Sequence, residues 1–289
     1  MNNENDILHL QKIHTTLTHT KQTSIIKNHA INLGFFACGI AKAELLPEDK
    51  IHYENYLERG DFGEMNYLTR YFDKRFDPAS VMEHTKSVIV VLWDYSHYET
   101  NNFSAGEGQG SGKIAKYACG EDYHVVIKSK LLQLEIEIRK LFPESNMRSF
   151  VDASPILEKT WAIKAGLGFR GKNTLLINPK IGSYCNIGAI LLDQELTYDT
   201  PLEATCEACF RCLKNCPTGA LEKPYQLNLR KCISYHNNTT KLDTVSIDLH
   251  GWVKGCDECQ ICCPHNGKRL KVKGKRPFTF SPSPFTFSL

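Results

Sequence analysis

The spacing of the cysteines in the second half of the chain constrains this sequence more than any other feature. Nine of its twelve cysteines lie within residues 206–263. The first of two motifs is a run of the form C-x2-C-x2-C-x3-C-P that begins at Cys206 and ends at Cys216-Pro217. The second motif is Cys256, Cys259 and Cys263-Pro264. In such runs, three closely spaced thiolates bind one iron–sulfur cubane and the cysteine before proline binds another.

Cys232 lies between the motifs and completes a set of eight thiolates, which is enough for two [4Fe–4S] clusters in a ferredoxin-like segment. The crossing rule assigns one cluster to Cys206, Cys209, Cys212 and Cys263. The other cluster is assigned to Cys216, Cys232, Cys256 and Cys259. Cys262 is one position out of register and is not followed by proline, so we expect it to be a small buried thiol.

Two other interpretations of the cysteines are less consistent with the sequence. Four thiolates also suit a tetrahedral zinc ion, but zinc ribbons rarely contain the C-x2-C-x2-C-x3-C-P run. A plain ferredoxin would not need the long segment that precedes residue 206. That segment should therefore use the electrons that the clusters carry.

The composition and the N-terminal segment indicate the compartment. No run approaches the ~18 consecutive apolar residues that a membrane span requires. The polar segment Met1–Thr23 has neither an apolar export-signal core nor a twin-arginine pair. We therefore expect a cytoplasmic protein without a membrane anchor, in which clustered cysteines are metal ligands rather than disulfides.

The segment before the cysteines mixes strands and helices without a strict βαβ alternation, which predicts an α+β domain over residues 20–200. Hydrophobic residues make up 42% of the chain, enough for a sizeable core. SVIVVLWDY (87–95) is almost continuously apolar, as expected of a buried central strand. The other predicted elements are strands over 34–41, 148–154, 173–179 and 188–196, and helices over 24–34, 121–142 and 155–166, the last capped by Ser154.

Five segments of the chain closely resemble the epoxyqueuosine reductase family. They are RFDP (75–78), IAKYACGEDYH (114–124), VDASPILEKTWAIKAGLGFRGKNTLLI (151–177), GSYCNIGAILLD (182–193) and CISYH (232–236). The resemblance implies a nitroreductase-like cobalamin-binding domain with a mixed sheet, similar to that of reductive dehalogenases. It divides the chain into a cobalamin-binding catalytic domain (1–200), a ferredoxin-like double-cluster domain (201–266) and a basic tail (267–289).

The same resemblance implies the activity, which is reduction of epoxyqueuosine to queuosine at the wobble position of tRNA. It assigns Asp152 as the proton donor and places His124 near the substrate. From the residues alone, Asp152 could instead cap the following helix. The D-x-H-x-x-G lower-ligand signature is absent, so no protein histidine need replace the nucleotide base. The resemblance implies that cobalamin binds base-off. The residues that the resemblance assigns to the corrin are Arg75, Ala115, Asp152, Lys159, Leu176, Ile187 and Ser234.

Three further features bear on partners. Six basic residues crowd into 268–276 and could contact anticodon-stem phosphates or form a solvated tail. Many family members continue into C-terminal helical repeats that this sequence lacks, so tRNA contacts made by such repeats are not expected here. GLGFRGKN (166–173) fits the spacing of a P-loop, but Asn173 stands where a Ser or Thr hydroxyl should bind magnesium, so we do not expect nucleotide hydrolysis. Lys172 in this segment could bind a phosphate or lie on the surface.

We expect a monomer that receives electrons from an external donor. The main alternative is a reductive dehalogenase acting on a small molecule. A second alternative is a non-enzymatic electron carrier or cluster scaffold. Iron and cobalamin analysis separates the carrier from the enzymes, and turnover of halogenated aromatics would identify the dehalogenase.

Overall fold

A computed structural model describes residues 3–104, 111–152, 155–239 and 245–266. The predicted basic run at 268–276, the tail and the predicted cap residue Ser154 lie outside these residues. Within the described part of the chain, no helix combines the length and the apolar character needed to cross a lipid bilayer.

The helices and strands alternate irregularly along the chain. The α-helices are α1 (Asn3–Asn32), α2 (Pro47–Glu58), α3 (Tyr123–Leu141), α4 (Glu158–Lys164), α5 (Arg211–Lys214), α6 (Ile233–Thr239) and α7 (Glu258–Ile261). The strands are β1 (Ala37–Lys42), β2 (Ser87–Asp94), β3 (Asn101–Ser104), β4 (Ser111–Ile114), β5 (Met147–Phe150), β6 (Phe169–Arg170), β7 (Leu176–Ile177), β8 (Cys185–Leu192) and β9 (Trp252–Lys254).

The main sheet has the order β1-β2-β8-β5, and every neighbouring pair is antiparallel. In its centre Val90 faces Gly39 on one side and Ala189 on the other. The first six residues of β2 are fully buried. This confirms the prediction that residues 87–95 contain the central strand. Residues 88–92 are apolar without interruption because both faces of this strand are covered.

Successive residues of β2 contribute to two hydrophobic layers, because side chains alternate across a strand. On one face, Ile89 and Val91 pack with the buried stripe of α3, which consists of Ile127, Leu131, Leu134 and Ile138. On the other face, Val88 and Val90 pack against Trp161 of α4. Helix α4 is therefore fixed to the sheet, and Ile156 and Leu157, which lead into it, pack in the same layer.

The sequence prediction for the start of α4 was wrong. We expected a helix from Pro155 capped by Ser154, whereas α4 begins at Glu158 after Leu157, without a side-chain cap. Leu157 has a non-helical backbone (φ −90°, ψ 79°). Its side chain packs against the core layer that contains Trp161. Tertiary packing therefore overrides the local capping signal.

A second sheet connects the two halves of the chain. Its order is β3-β4-β9, and β4 pairs in parallel with β9 from the cysteine-rich half. Ala115 N donates to Lys254 O at 2.9 Å, and Lys116 N donates to the buried carboxylate of Asp257 at 2.8 Å. A Cβ added at Gly255 would lie 2.6 Å from the Cβ of Ala115. The expected domain boundary at residues 200/201 stays a prediction. The segments on either side of it are joined by strand pairing and by hydrogen bonds.

Candidate active site and cluster-binding region

A large open cleft lies between α2, the segment 67–75, the start of α4 and the loop 224–229. Its volume is about 1870 Å³, above the ~300–1,000 Å³ of pockets for drug-sized ligands. Several aromatic side chains line it, namely Tyr53, Tyr56, Tyr67, Tyr71 and Tyr225. Three of the predicted site residues also line it: Arg75, Asp152 and Lys159.

Asp152 lies at the edge of this cleft in a left-handed backbone conformation, with φ +57°. Such a conformation is uncommon outside glycine, although aspartate adopts it more readily than most residues. The backbone N–H of Asp152 donates to Glu158 Oε1 at 2.7 Å. Its side chain is 53% exposed. Asp152 is thus not the helix cap that the residues alone allowed.

A tyrosine and a histidine at the start of α3 hold the carboxylate of Asp152. The hydroxyl of Tyr123 donates to Oδ2, and Nε2 of His124 lies 3.3 Å from the same oxygen. The other ring nitrogen of His124 lies 2.8 Å from Asp122 Oδ1. Burial, followed by the hydrogen bond to Asp152, raises the pKa of Tyr123 above its ordinary value. The phenol therefore stays protonated and acts as the donor.

Asp122 anchors the histidine from the other side. Its carboxylate also accepts the backbone N–H of His124 at 2.9 Å and caps α3. Burial acts against ionisation, but the hydrogen bonds from His124 outweigh it and lower the pKa of Asp122. The imidazole of His124 thus bridges the carboxylates of Asp122 and Asp152. This arrangement can carry a proton toward Asp152.

Glu158 is the other acid next to Asp152. Burial and then the charge of Asp152 raise the pKa of Glu158 to about 8, from an ordinary value of 4.5. Between these two pH values the folded protein holds a proton that the unfolded chain has lost. The free energy of unfolding should therefore fall as pH rises through this interval.

We expect the Glu158→Gln variant to lose this pH dependence. The thermal midpoint of the wild-type protein should fall relative to that of the variant as pH rises from about 5 to about 8. Scanning calorimetry at several pH values measures the difference. The matched control is Glu48→Gln, an exposed acid on the same cleft, which should follow the wild type. A constant difference between wild type and Glu158→Gln across this range would contradict the assignment.

The cleft has the chemistry that a corrinoid would need. Arg75 is only 8% exposed, and among the described residues its buried Nε has no hydrogen-bond partner. Its other contacts are a bond from Nη2 to Tyr67 O at 3.1 Å and the ring of Tyr53 at 5.6 Å. An unpartnered guanidinium nitrogen on a large cleft fits an amide or phosphate oxygen of a ligand.

Lys159 presents a second cation to the cleft. It is exposed and lines the cleft, and Nζ donates to Thr174 O at 3.1 Å. Desolvation by the protein around it, followed by the charge of Arg170, lowers the pKa of Lys159. The cleft is therefore lined by several basic groups, as a large ligand with several polar substituents requires.

The remaining predicted corrin residues do not line this cleft. Ala115 is fully buried and packs with Ile233 and Trp252. Leu176 belongs to the core layer on the α4 face of the main sheet, and Ile187 packs against that layer. Ser234 is half-buried on α6. The corrin contacts of these four residues stay predictions, whereas Arg75, Asp152 and Lys159 all line the same cleft.

A small second cavity lies in the cysteine-rich half. It is lined by the thiol residues Cys206, Cys209, Cys212 and Cys263, and by Lys172, Asn173, Ile177, Arg211, Pro264 and His265. Its four cysteines are the set that the crossing rule assigns to one cluster, whereas Cys216 of the same motif is not part of the lining. The backbone N–H of Cys209 donates to Cys206 O at 3.0 Å, which forms the tight turn of the motif.

The other four thiols form a neighbouring group. Burial raises the pKa of Cys259 well above its ordinary value, and the next contributions come from Cys232 and Cys256, with Cys216 also acting. Cys212 acts on Cys259 as well, so the two groups adjoin. In the described part of the chain, no three ligand-type side chains converge on a position for a single metal ion. Thiols with raised pKa values must release their protons when they bind iron as thiolates.

Cys262 lies beside the first group. Its Sγ contacts Cys259 O at 3.7 Å, and its thiol affects the pKa of Cys212. It does not line the cavity of the first group and is half-buried rather than buried. The structure therefore gives this ninth thiol no position equivalent to that of its neighbour Cys263.

Sequence reasoning missed three residues of the site: Tyr123, Asp122 and Glu158. The sequence Asp-Tyr-His at the start of an amphipathic helix indicates a functional site only if its partner, Asp152, is already known. Glu158 was recognised as helical but not as a partner of Asp152. Both contacts are tertiary and have no local sequence pattern.

Comparison with known proteins identifies both parts of the chain. The family described as "Epoxyqueuosine reductase QueG, DUF1730" matches residues 75–153, and a "4Fe-4S double cluster binding domain" matches residues 205–266. An epoxyqueuosine reductase of Cellulophaga algicola is 40% identical over 276 residues, covering 94% of this chain and 87% of the relative.

Solved structures share the fold. A crystal structure of epoxyqueuosine reductase with a tRNA-Tyr epoxyqueuosine-modified tRNA stem loop has a TM-score of 0.78 and 26% identity, and covers 86% of this chain and 66% of that one. A reductive dehalogenase studied for B12-dependent dehalogenation has a TM-score of 0.53 and 15% identity, and covers 83% of this chain and 31% of that one. The second likeness concerns the fold alone, and it agrees with the expected α+β architecture. From its identity and coverage, this chain belongs to the epoxyqueuosine reductase family.

Proposed function

We propose that this protein reduces epoxyqueuosine to queuosine at the wobble position of a tRNA anticodon, the last step of queuosine biosynthesis. The observation that carries the proposal is the hydrogen-bonded group around Asp152 on the rim of a cofactor-sized cleft. Family membership supports the substrate. A related reductase with a modified tRNA stem loop supports tRNA as its carrier.

The reaction defines what the site must supply. An epoxide becomes an alkene when two electrons and two protons are added and the oxygen leaves as water. The electrons come through redox cofactors and the protons from side chains. An acid must therefore lie where the oxygen leaves.

Asp152 is the residue that we assign to this proton transfer. Its carboxyl group is accessible from the cleft, and its position is fixed by Tyr123 and by the backbone contact to Glu158. His124 bridges Asp152 and Asp122 and can return a proton to Oδ2 after each turnover. In this interpretation Asp152 donates the proton to the substrate, and His124 then returns a proton to Asp152.

Cobalamin, when bound, supplies a low-valent cobalt that is a strong nucleophile or one-electron donor. Arg75 and Lys159 would hold polar groups of the corrinoid, since both are basic residues on the cleft and Arg75 has an unpartnered nitrogen. The likeness to a B12-dependent dehalogenase fold supports this cofactor. The further contacts that we propose are Ala115, Leu176, Ile187 and Ser234.

Two [4Fe–4S] clusters, when bound, pass electrons one at a time. We assign the first to Cys206, Cys209, Cys212 and Cys263. We assign the second to Cys216, Cys232, Cys256 and Cys259. The match to a double-cluster domain and the four-thiol cavity support this assignment. An external donor would reduce the clusters, and the protein would act as a cytoplasmic monomer.

An anaerobic assay with epoxyqueuosine-containing tRNA, cobalamin and a strong reductant tests the function. Digestion of the tRNA and mass spectrometry should show loss of one oxygen from the modified nucleoside. Omission of cobalamin should abolish the product. A protein that carries cobalt and both clusters but leaves the nucleoside unchanged would overturn the proposal, and turnover of halogenated phenols would favour the dehalogenase alternative.

A further inference from the structure

Lys172 lies in the GLGFRGKN segment, for which the proposed function has no role. Only 7% of this residue is exposed, and it lines the cavity formed by the first group of thiols. Its Nζ donates to Glu207 O at 2.5 Å. Glu207 lies in the turn between the ligands Cys206 and Cys209. The ammonium of Lys172 is therefore held by the ligand turn itself, although Lys172 comes from the catalytic half of the chain.

The charge of Lys172 has no acidic partner nearby. Among the described residues, no carboxylate oxygen lies within 4.0 Å of its Nζ, whereas Nζ of Lys27, for example, lies 2.6 Å from a carboxylate oxygen of Asp199. Nζ also lies over the ring of Phe210, 3.7 Å from its centroid. A buried ammonium is costly unless an opposite charge compensates for it.

A cluster bound by four thiolates supplies such a charge. It is anionic, and reduction adds one more negative charge. A fixed cation beside it stabilises the reduced form more than the oxidised form, and net charge and hydrogen bonds around the sulfurs are known determinants of cluster potentials. The low dielectric of a buried site strengthens this effect relative to a surface charge.

We infer that Lys172 raises the reduction potential of the cluster held by Cys206, Cys209, Cys212 and Cys263. This inference rests on the cluster assignment proposed above. Lys172 would act through the cluster, since it lines the thiol cavity and does not line the large cleft. The second group of thiols lies outside the lining of this cavity and should respond less.

A potentiometric titration monitored by electron paramagnetic resonance tests the inference on the holoenzyme. In Lys172→Met, one of the two cluster midpoints should shift to a more negative potential while the other changes little. Lys172→Arg keeps the charge and should retain most of the wild-type midpoint. The matched control is Lys180→Met, an exposed lysine, which should leave both midpoints unchanged. Unchanged midpoints in fully loaded Lys172→Met would overturn the inference.

A second pair of variants covers the case in which Lys172→Met does not retain its iron. Phe210→Glu leaves Lys172 in place and puts a carboxylate beside its ammonium, at a residue that is 42% exposed. The same midpoint should then be more negative than in Phe210→Gln, and equal midpoints in this pair would refute the role. The cluster assignment fails separately, if wild-type protein does not carry two [4Fe–4S] signals.

Discussion

The Asp152→Asn variant is expected to retain cobalamin and both clusters but to lose most of its turnover. Removing a general acid typically costs ~10²–10⁴-fold in rate, and we expect the loss in kcat to fall in this range. Asparagine keeps the size of the side chain and can still accept the hydrogen bond of Tyr123. The loss should therefore reflect the missing proton rather than a displaced loop. Single-turnover kinetics with epoxyqueuosine-containing tRNA measure it.

Two observations make this test specific. The visible spectrum of bound cobalamin should be the same in Asp152→Asn and in the wild type. Glu83→Gln, which removes an exposed acid away from the cleft, should have wild-type kinetics. If Asp152→Asn turned over within a factor of about two of the wild type, another group would have to protonate the departing oxygen.

The Cys232→Ala variant should lose half of the iron and all measurable turnover. Cys232 is the only ligand of the second set that lies between the two motifs, and its assignment depends on counting rather than on spacing. Removing it leaves three thiolates for that cluster, and the path for electrons is interrupted. Iron and sulfide analysis of anaerobically purified protein checks the stoichiometry.

Cys262→Ala is the matched control for this experiment. Both thiols are half-buried, and both lie near other cysteines. Cys262→Ala should keep its full iron content and its activity. If instead Cys262→Ala lost half of the iron and Cys232→Ala kept all of it, the ninth thiol would be the ligand and our assignment would be wrong.

The elements that could be predicted from the sequence have strong local patterns. The run 87–95 became the central strand because continuous apolarity reports burial on both faces. Residues 121–142 became α3 because one apolar stripe recurs at helical spacing, and Pro143 follows its end. The cysteine motifs could also be predicted from a local pattern, because a cubane cluster requires a particular spacing of its ligands along the chain.

The features that escaped prediction depend on contacts between distant segments. The start of α4 was misplaced because the packing of Leu157 outweighed a plausible cap. Tyr123 and Glu158 meet Asp152 only after α3 and α4 have packed on opposite faces of the same sheet. A buried, acid-free Lys172 also has no local signature, because its neighbours come from the other half of the chain.

The pairing of β4 with β9 has a consequence for how the protein is made. During translation, β4 (Ser111–Ile114) leaves the ribosome long before β9 (Trp252–Lys254), and all but four of the cysteines between 206 and 263 are made before β9 as well. The second sheet therefore stays incomplete until the segment just before the second cysteine motif has been synthesised. The hydrogen bond from Lys116 N to Asp257 can likewise form only after Cys256 has been made, because Asp257 follows that cysteine in the chain. The contacts that join the catalytic half to the cysteine-rich half thus become available only late in synthesis, together with the first ligands of the second motif.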